Sequence, residues 1–74
     1  MIKVYSKKDC QQCRLVKRWL NEHEIPFEEV DGSTVQGRDA VIKLGYRTLP
    51  VVVLENGNHF AGLDMKQLNA LIEQ

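Results

Sequence analysis

Cys10 and Cys13 are the residues whose type and spacing suit covalent chemistry: two thiols separated by Gln11 and Gln12, in a chain with no other cysteine. A bridge across so short a loop removes little entropy from the unfolded chain, and small proteins stapled by disulfides carry more pairs at wider spacing. Pairing of these thiols therefore points to reversible chemistry rather than reinforcement. At a helix start, the first thiol lies among backbone N–H groups that have no intrahelical partner. Those groups and the helix dipole favour a thiolate, and Lys7 or Lys8 adds positive charge. Cys10 is expected to be the attacking thiol. Cys13, one turn further on and less exposed, is expected to face it and resolve a mixed disulfide.

Zinc competes for the same motif, because Cys-x-x-Cys is half of many structural sites and His23 and His59 are available in principle. Tetrahedral sites usually recruit a second close pair, whereas these histidines stand alone and far apart. A non-catalytic module holding zinc or an iron–sulfur cluster is the alternative from another class. The redox reading needs no cofactor and no metal.

The elements that position the thiols follow from the pattern around them. Ile2 to Tyr5 is β-prone, and Leu15, Val16, Trp19 and Leu20 form a helical stripe in a helix from Cys10 or Gln11 to Glu22. Trp19 on that stripe reads as core. Tyr5 reads equally well as lining the site or as a half-buried strand residue. Ile25-Pro26 opens a second strand through Phe27 and Val30. Ser33 with Gln36 suggests a capping box ahead of Val35, Val41, Ile42 and Leu44, a second helix ending near Gly45. Gly37 within it costs about 1 kcal/mol relative to alanine. Val51 to Leu54 reads as a strand covered on both faces, Asn56-Gly57 as a hairpin turn returning through His59 to Ala61. Asp64 with Gln67 caps a last helix carrying Leu68, Leu71 and Ile72. The order β-α-β-α-β-β-α is that of the α/β thioredoxin-like fold, a four-stranded mixed sheet with helices on both faces.

Thr48-Leu49-Pro50 precedes the buried strand. Proline is tolerated there because it has no N–H to donate. Alternatively a cis Leu49-Pro50 bond turns the backbone of Leu49 toward the cysteines to pair with an extended substrate.

With 74 residues there is room for one domain, residues 1–74, and 43% apolar with 27% charged residues is the composition of a soluble globular protein. Ten basic and ten acidic residues cancel and are interspersed, which argues against nucleic acid as a partner. No apolar run suits a secretory signal or a membrane span, so a cytoplasmic monomer with no membrane partner is expected.

Tyr5 to Cys13, taken with Leu44-Gly45-Tyr46-Arg47-Thr48-Leu49-Pro50-Val51-Val52-Val53, resembles the glutaredoxin-like redoxins, and among them the NrdH-redoxins, over nearly the whole chain. The resemblance implies a cis peptide before Pro50, which shapes the substrate groove, with Leu49 beside it. It also implies ribonucleotide reductase as electron acceptor and thioredoxin reductase as donor. His59 to Met65 departs from the tryptophan-serine-glycine-phenylalanine-arginine-proline stretch usual there, keeping Phe60 and Gly62 but lacking the Arg-Pro element. Lys7, Thr48 and Asp64 match positions that hold glutathione in glutaredoxins, making glutathione the alternative donor. Gln11-Gln12 and Ala61-Gly62 depart from the usual form of that site.

Overall fold

The computed structural model describes residues 1–73, in the order β1 (Ile2–Ser6), α1 (Gln11–Glu22), β2 (Phe27–Asp31), α2 (Val35–Lys43), β3 (Val51–Val53), β4 (His59–Ala61) and α3 (Met65–Ala70). The sheet runs β2-β1-β3-β4, with β1 parallel to β2 and antiparallel to β3, and β3 antiparallel to β4. This is the thioredoxin-like fold expected from the element order. Among the described residues no helix is long and apolar enough to cross a membrane.

Alternation along the strands decides which side chains meet which helix. Ile2 and Val4 of β1, Val52 of β3 and Phe60 of β4 pack with Val16 and Leu20 of α1 and Leu68 of α3 in one core. Each fully buried leucine there contributes about 1.5–3 kcal/mol by leaving water. The stripe of α1 is Cys13, Val16 and Leu20, while Leu15 is 38% exposed at its margin. Trp19 packs half-buried against the core and stacks on His23 with ring centroids 4.0 Å apart.

The second helix departs most from expectation. Its N-cap is Thr34, not Ser33: Thr34 Oγ1 accepts from the Gly37 N–H at 3.0 Å. Ser33 donates its N–H and its hydroxyl to Asp31 Oδ1, at 2.9 and 2.6 Å, in a turn that delays the helix by one residue. Val35 is 83% exposed and Ile42 51%, so of the expected stripe only Val41 is buried and Leu44 half-buried. Gly37 has a packing reason. A β-carbon there would collide with Asp31 O and approach Gly32 Cα to 3.0 Å, so α2 crosses the end of β2 closely only because this residue is glycine.

The β3 run is also less covered than expected. Val51 and Val52 are buried, but Val53 and Leu54 are half-buried: the short α2 leaves its sheet face open at Val53, while Leu54 packs only partly against the α1–α3 core. Tyr5 and Val53 line the resulting cleft with Ala40 and Leu44, on the face opposite Val4 and Val52. The hairpin closes through three residues, Glu55 to Gly57, with the Leu54 N–H donating to Asn58 O at 2.7 Å and the Gly57 N–H to Leu54 O at 3.0 Å. The α3 cap is as expected: Asp64 Oδ1 accepts from the Gln67 N–H at 3.2 Å.

Candidate active site

β1 ends at Ser6, and the loop that follows must reverse the chain into α1. Asp9 makes the turn at φ 56°, a left-handed conformation that aspartate tolerates better than most side chains. Cys10 is then the N-cap of α1, with extended backbone, and its carbonyl accepts the Arg14 N–H at 3.1 Å. The Cys13 N–H donates to Cys10 Sγ at 3.2 Å, so a backbone donor at the helix start is aimed at the first sulfur. The two sulfurs are joined in a disulfide, with Cα atoms 5.2 Å apart. Cys10 is half-buried, whereas Cys13 has 0% exposure.

A second loop lies against the pair. Cys10 Sγ is 3.9 Å from Leu49 O, and the Leu49–Pro50 peptide is cis. The Leu49 side chain rests on Gly32, where an added β-carbon would stand 2.8 Å from Leu49 Cδ1. Pro50 is buried, and its carbonyl accepts the Gly62 N–H at 2.8 Å, tying the loop to the turn before α3.

Beside the disulfide a groove of about 770 Å³ opens between this loop and α2. Gly32 and Ser33 form one end, Val41, Ile42 and Leu49 supply apolar surface, and Lys7, Arg38 and Arg47 line it with no carboxylate among the lining residues. Such a cleft concentrates anions. Lys8 is not among the lining residues; at the nearby Asp31, Ser33, through its hydroxyl and its N–H, holds the carboxyl below its ordinary value, and the Lys8 charge adds to this.

The residues singled out in the sequence therefore divide. Lys7, Cys10, Thr48 and Leu49 come together in the groove, with Pro50 behind them. Gly62, at φ 78°, stands next to Gln12: a β-carbon there would be 3.4 Å from Gln12 Oε1. Asp64 caps α3 and does not line the groove. His23 Nδ1 is 2.8 Å from Trp19 O and His59 Nδ1 is 2.7 Å from the Tyr46 hydroxyl, so each histidine has a partner of its own. Arg38 and Arg47 were not anticipated. Arg47 directly precedes Thr48, and Arg38, Val41 and Ile42 share one helix face at i, i+3, i+4, a spacing that marks a common surface once α2 is placed.

A model of the glutaredoxin family matches residues 2–60. The glutaredoxin-like protein NrdH of Lactococcus lactis subsp. lactis is 42% identical over 57 residues, 76% of this chain and 79% of the relative. N-acetyl-S-hydroxy-L-cysteine reductase of Bacillus subtilis is 42% identical over 64 residues, 84% of this chain and 69% of the relative. Among solved structures, the Escherichia coli NrdH-redoxin, described as glutaredoxin-like with a thioredoxin-like activity profile, superposes with a TM-score of 0.86 at 30% identity. That match covers 95% of this chain and 92% of the other.

Proposed function

Because the chain belongs to the glutaredoxin family and is a thiol-disulfide oxidoreductase with a Cys-x-x-Cys pair, we propose that it reduces disulfides of protein substrates with Cys10 attacking and Cys13 resolving. The observation that carries this reading is the asymmetry of the pair: a half-buried cysteine at a helix N-cap over one with no exposed surface. Cys10 thiolate attacks one sulfur of the substrate disulfide, forming a mixed disulfide and releasing the other sulfur as a thiolate. Cys13 thiolate then attacks Cys10 Sγ, which breaks the mixed bond, releases the second substrate thiolate and leaves Cys10–Cys13 oxidised. Two electrons pass to the substrate, and its two thiolates take up protons from solvent. The cis Leu49–Pro50 loop against Cys10 presents the Leu49 backbone to an extended substrate segment.

The electron acceptor in this reading is ribonucleotide reductase, the donor thioredoxin reductase, and the setting the cytoplasm. The likeness to NrdH proteins, and the thioredoxin-like activity profile described for the Escherichia coli one, support that choice. NADPH oxidation with a disulfide substrate tests it, with thioredoxin reductase in one arm and glutathione plus glutathione reductase in the other. Turnover confined to thioredoxin reductase is the expected result. Turnover confined to glutathione makes the protein a glutathione-dependent glutaredoxin, with Lys7 and Thr48 on the groove wall as binding residues.

A second reading is favoured by the Bacillus subtilis relative together with the cationic groove: a small anionic S-hydroxycysteine as substrate. Cys10 thiolate would displace hydroxide from the sulfenic sulfur, water forming on protonation, and Cys13 would release the thiol as before. Turnover of S-hydroxy-N-acetylcysteine at a rate matching the protein disulfide would favour this substrate.

A further inference from the structure

On the face of β1 and β2 that meets α1 the structure holds a polar cluster that the thiol-disulfide exchange does not use. Ile2, Val4 and Ser6 alternate along β1 and are all buried, and Ile2 and Val4 pack with Leu20 and Val16 of α1. A helix joining two parallel strands runs back against them, so the buried residues of α1 descend from Cys13 through Val16 to Leu20 as those of β1 rise from Ile2 to Ser6. That layering puts Ser6, 2% exposed and the one buried polar side chain among the described residues, at the level of Cys13. Ser6 Oγ donates to Glu29 Oε2 at 2.6 Å, and Lys17 Nζ donates to the same oxygen at 2.7 Å. Lys17 stands one turn beyond Cys13 on the same helix, the spacing at which side chains face one another.

We propose that the Ser6–Glu29–Lys17 cluster acts on Cys13 as a balanced pair, the Lys17 ammonium and the Glu29 carboxylate biasing the ionisation of that thiol in opposite directions, so that loss of either one shifts it. The proposal takes from the functional reading only that ionised Cys13 has a task to perform. Water cannot screen a sulfur with no exposed surface, so fixed charges one turn away count more than they would at the surface. Other charged groups at the Cys13 end of the surrounding elements are Arg14 on α1, Lys7, Lys8 and Asp9 in the loop, Asp31 on β2 and Asp64 before α3, while Lys3, Arg18, Glu22, Glu28 and Lys66 are exposed elsewhere on them. All but the half-buried Asp64 are exposed, and the carboxylates of Asp31 and Asp64 are taken up by Ser33 and Gln67. Glu29 accepts from the buried Ser6 hydroxyl, and Lys17 pairs with Glu29. Lys17 favours a Cys13 thiolate and Glu29 opposes it, so the pair is nearly neutral toward the sulfur while both members are present. Each acts as a positioning residue, through the cluster rather than on substrate. Glu29 is half-exposed, which limits the effect to a several-fold change.

The test follows thiolate absorbance against pH in the Cys10→Ser chain, where Cys13 is the sole thiol, with Glu29→Gln, Lys17→Met, both together, and Ser6→Ala added. Thermal melts select variants that remain folded, and Lys17→Gln replaces Lys17→Met should the latter fail to fold. The expected result is opposite movement: Glu29→Gln makes Cys13 ionise at lower pH, Lys17→Met at higher pH, and the double variant returns close to the parent. Movement of both single variants in one direction, or of neither, overturns the proposal, because loss of a merely structural tie has no charge sign. The readout needs no substrate. Should ionisation shift as expected while the resolving step at neutral pH keeps its rate, the tuning stands and the role given to Cys13 fails.

Discussion

Cys10 and Cys13 are separated by a single helical turn, yet one caps the helix at the surface and the other is sealed under it. Their spacing was legible at once, and so was the helix start, because Lys7-Lys8-Asp9 interrupts the β-prone run and Val16 and Leu20 resume at helical spacing. Legibility failed for Arg38 and Arg47, because a helical arginine on an exposed face and a loop arginine after it both look like solvent-facing charge until the loop before Pro50 folds back beside α2. Their chemistry gives a residue-scale prediction. Replacing both by glutamine is expected to raise KM several-fold for a disulfide peptide carrying acidic residues, with kcat unchanged and a neutral peptide unaffected, in a steady-state comparison. An equal loss on both peptides would contradict an anion-attracting groove.

At the scale of elements, α2 carries the lesson about patterning. Ser33 and Gln36 have the form of a capping box, but Asp31 engages Ser33 first and Thr34 becomes the cap, a competition between neighbouring polar side chains that spacing does not decide. Glycine in the helix has the appearance of a weakness until Asp31 O is seen against it. Gly37→Ala is therefore expected to lower stability by about 2 kcal/mol in urea unfolding, although alanine is the better helix former, because overpacking outweighs propensity. A stabilised variant would mean that α2 moves away from β2 at no cost. Asp64→Ala is expected to lose about 1 kcal/mol by removing the α3 cap, while kcat/KM in the thioredoxin reductase assay stays unchanged. A large rise in the KM for glutathione in that variant would instead give Asp64 a binding role.

For the whole molecule, element order sufficed for two of the three strand pairings, since a helix between β1 and β2 makes them parallel and a tight hairpin makes β3 and β4 antiparallel, whereas the β1–β3 pairing that joins them is a long-range contact that local pattern does not specify. How far α2 covers its face depends on helix length and crossing, and these left Val53 half-buried where a continuous apolar run suggested full cover. The sheet edge also carries an acid-sensitive tie. Lys17 and then Ser6, by hydrogen bonding, hold the Glu29 carboxyl below its ordinary value of 4.5. A carboxylate depressed on folding contributes stability above its unfolded value, lost as pH falls through the folded one. The stability advantage of the parent over Glu29→Gln is thus expected to be full at neutral pH and to shrink as pH falls below 4.5 in urea melts. A difference independent of pH would contradict the ion pair. The central claim, that Cys10 attacks and Cys13 resolves, is tested most directly by trapping. The Cys13→Ser variant, incubated reduced with a disulfide-bonded protein such as insulin, is expected to yield a covalent complex through Cys10 that dithiothreitol dissolves, while Cys10→Ser yields none and has no turnover. Trapping by Cys10→Ser in place of Cys13→Ser would reverse the two roles and contradict the account.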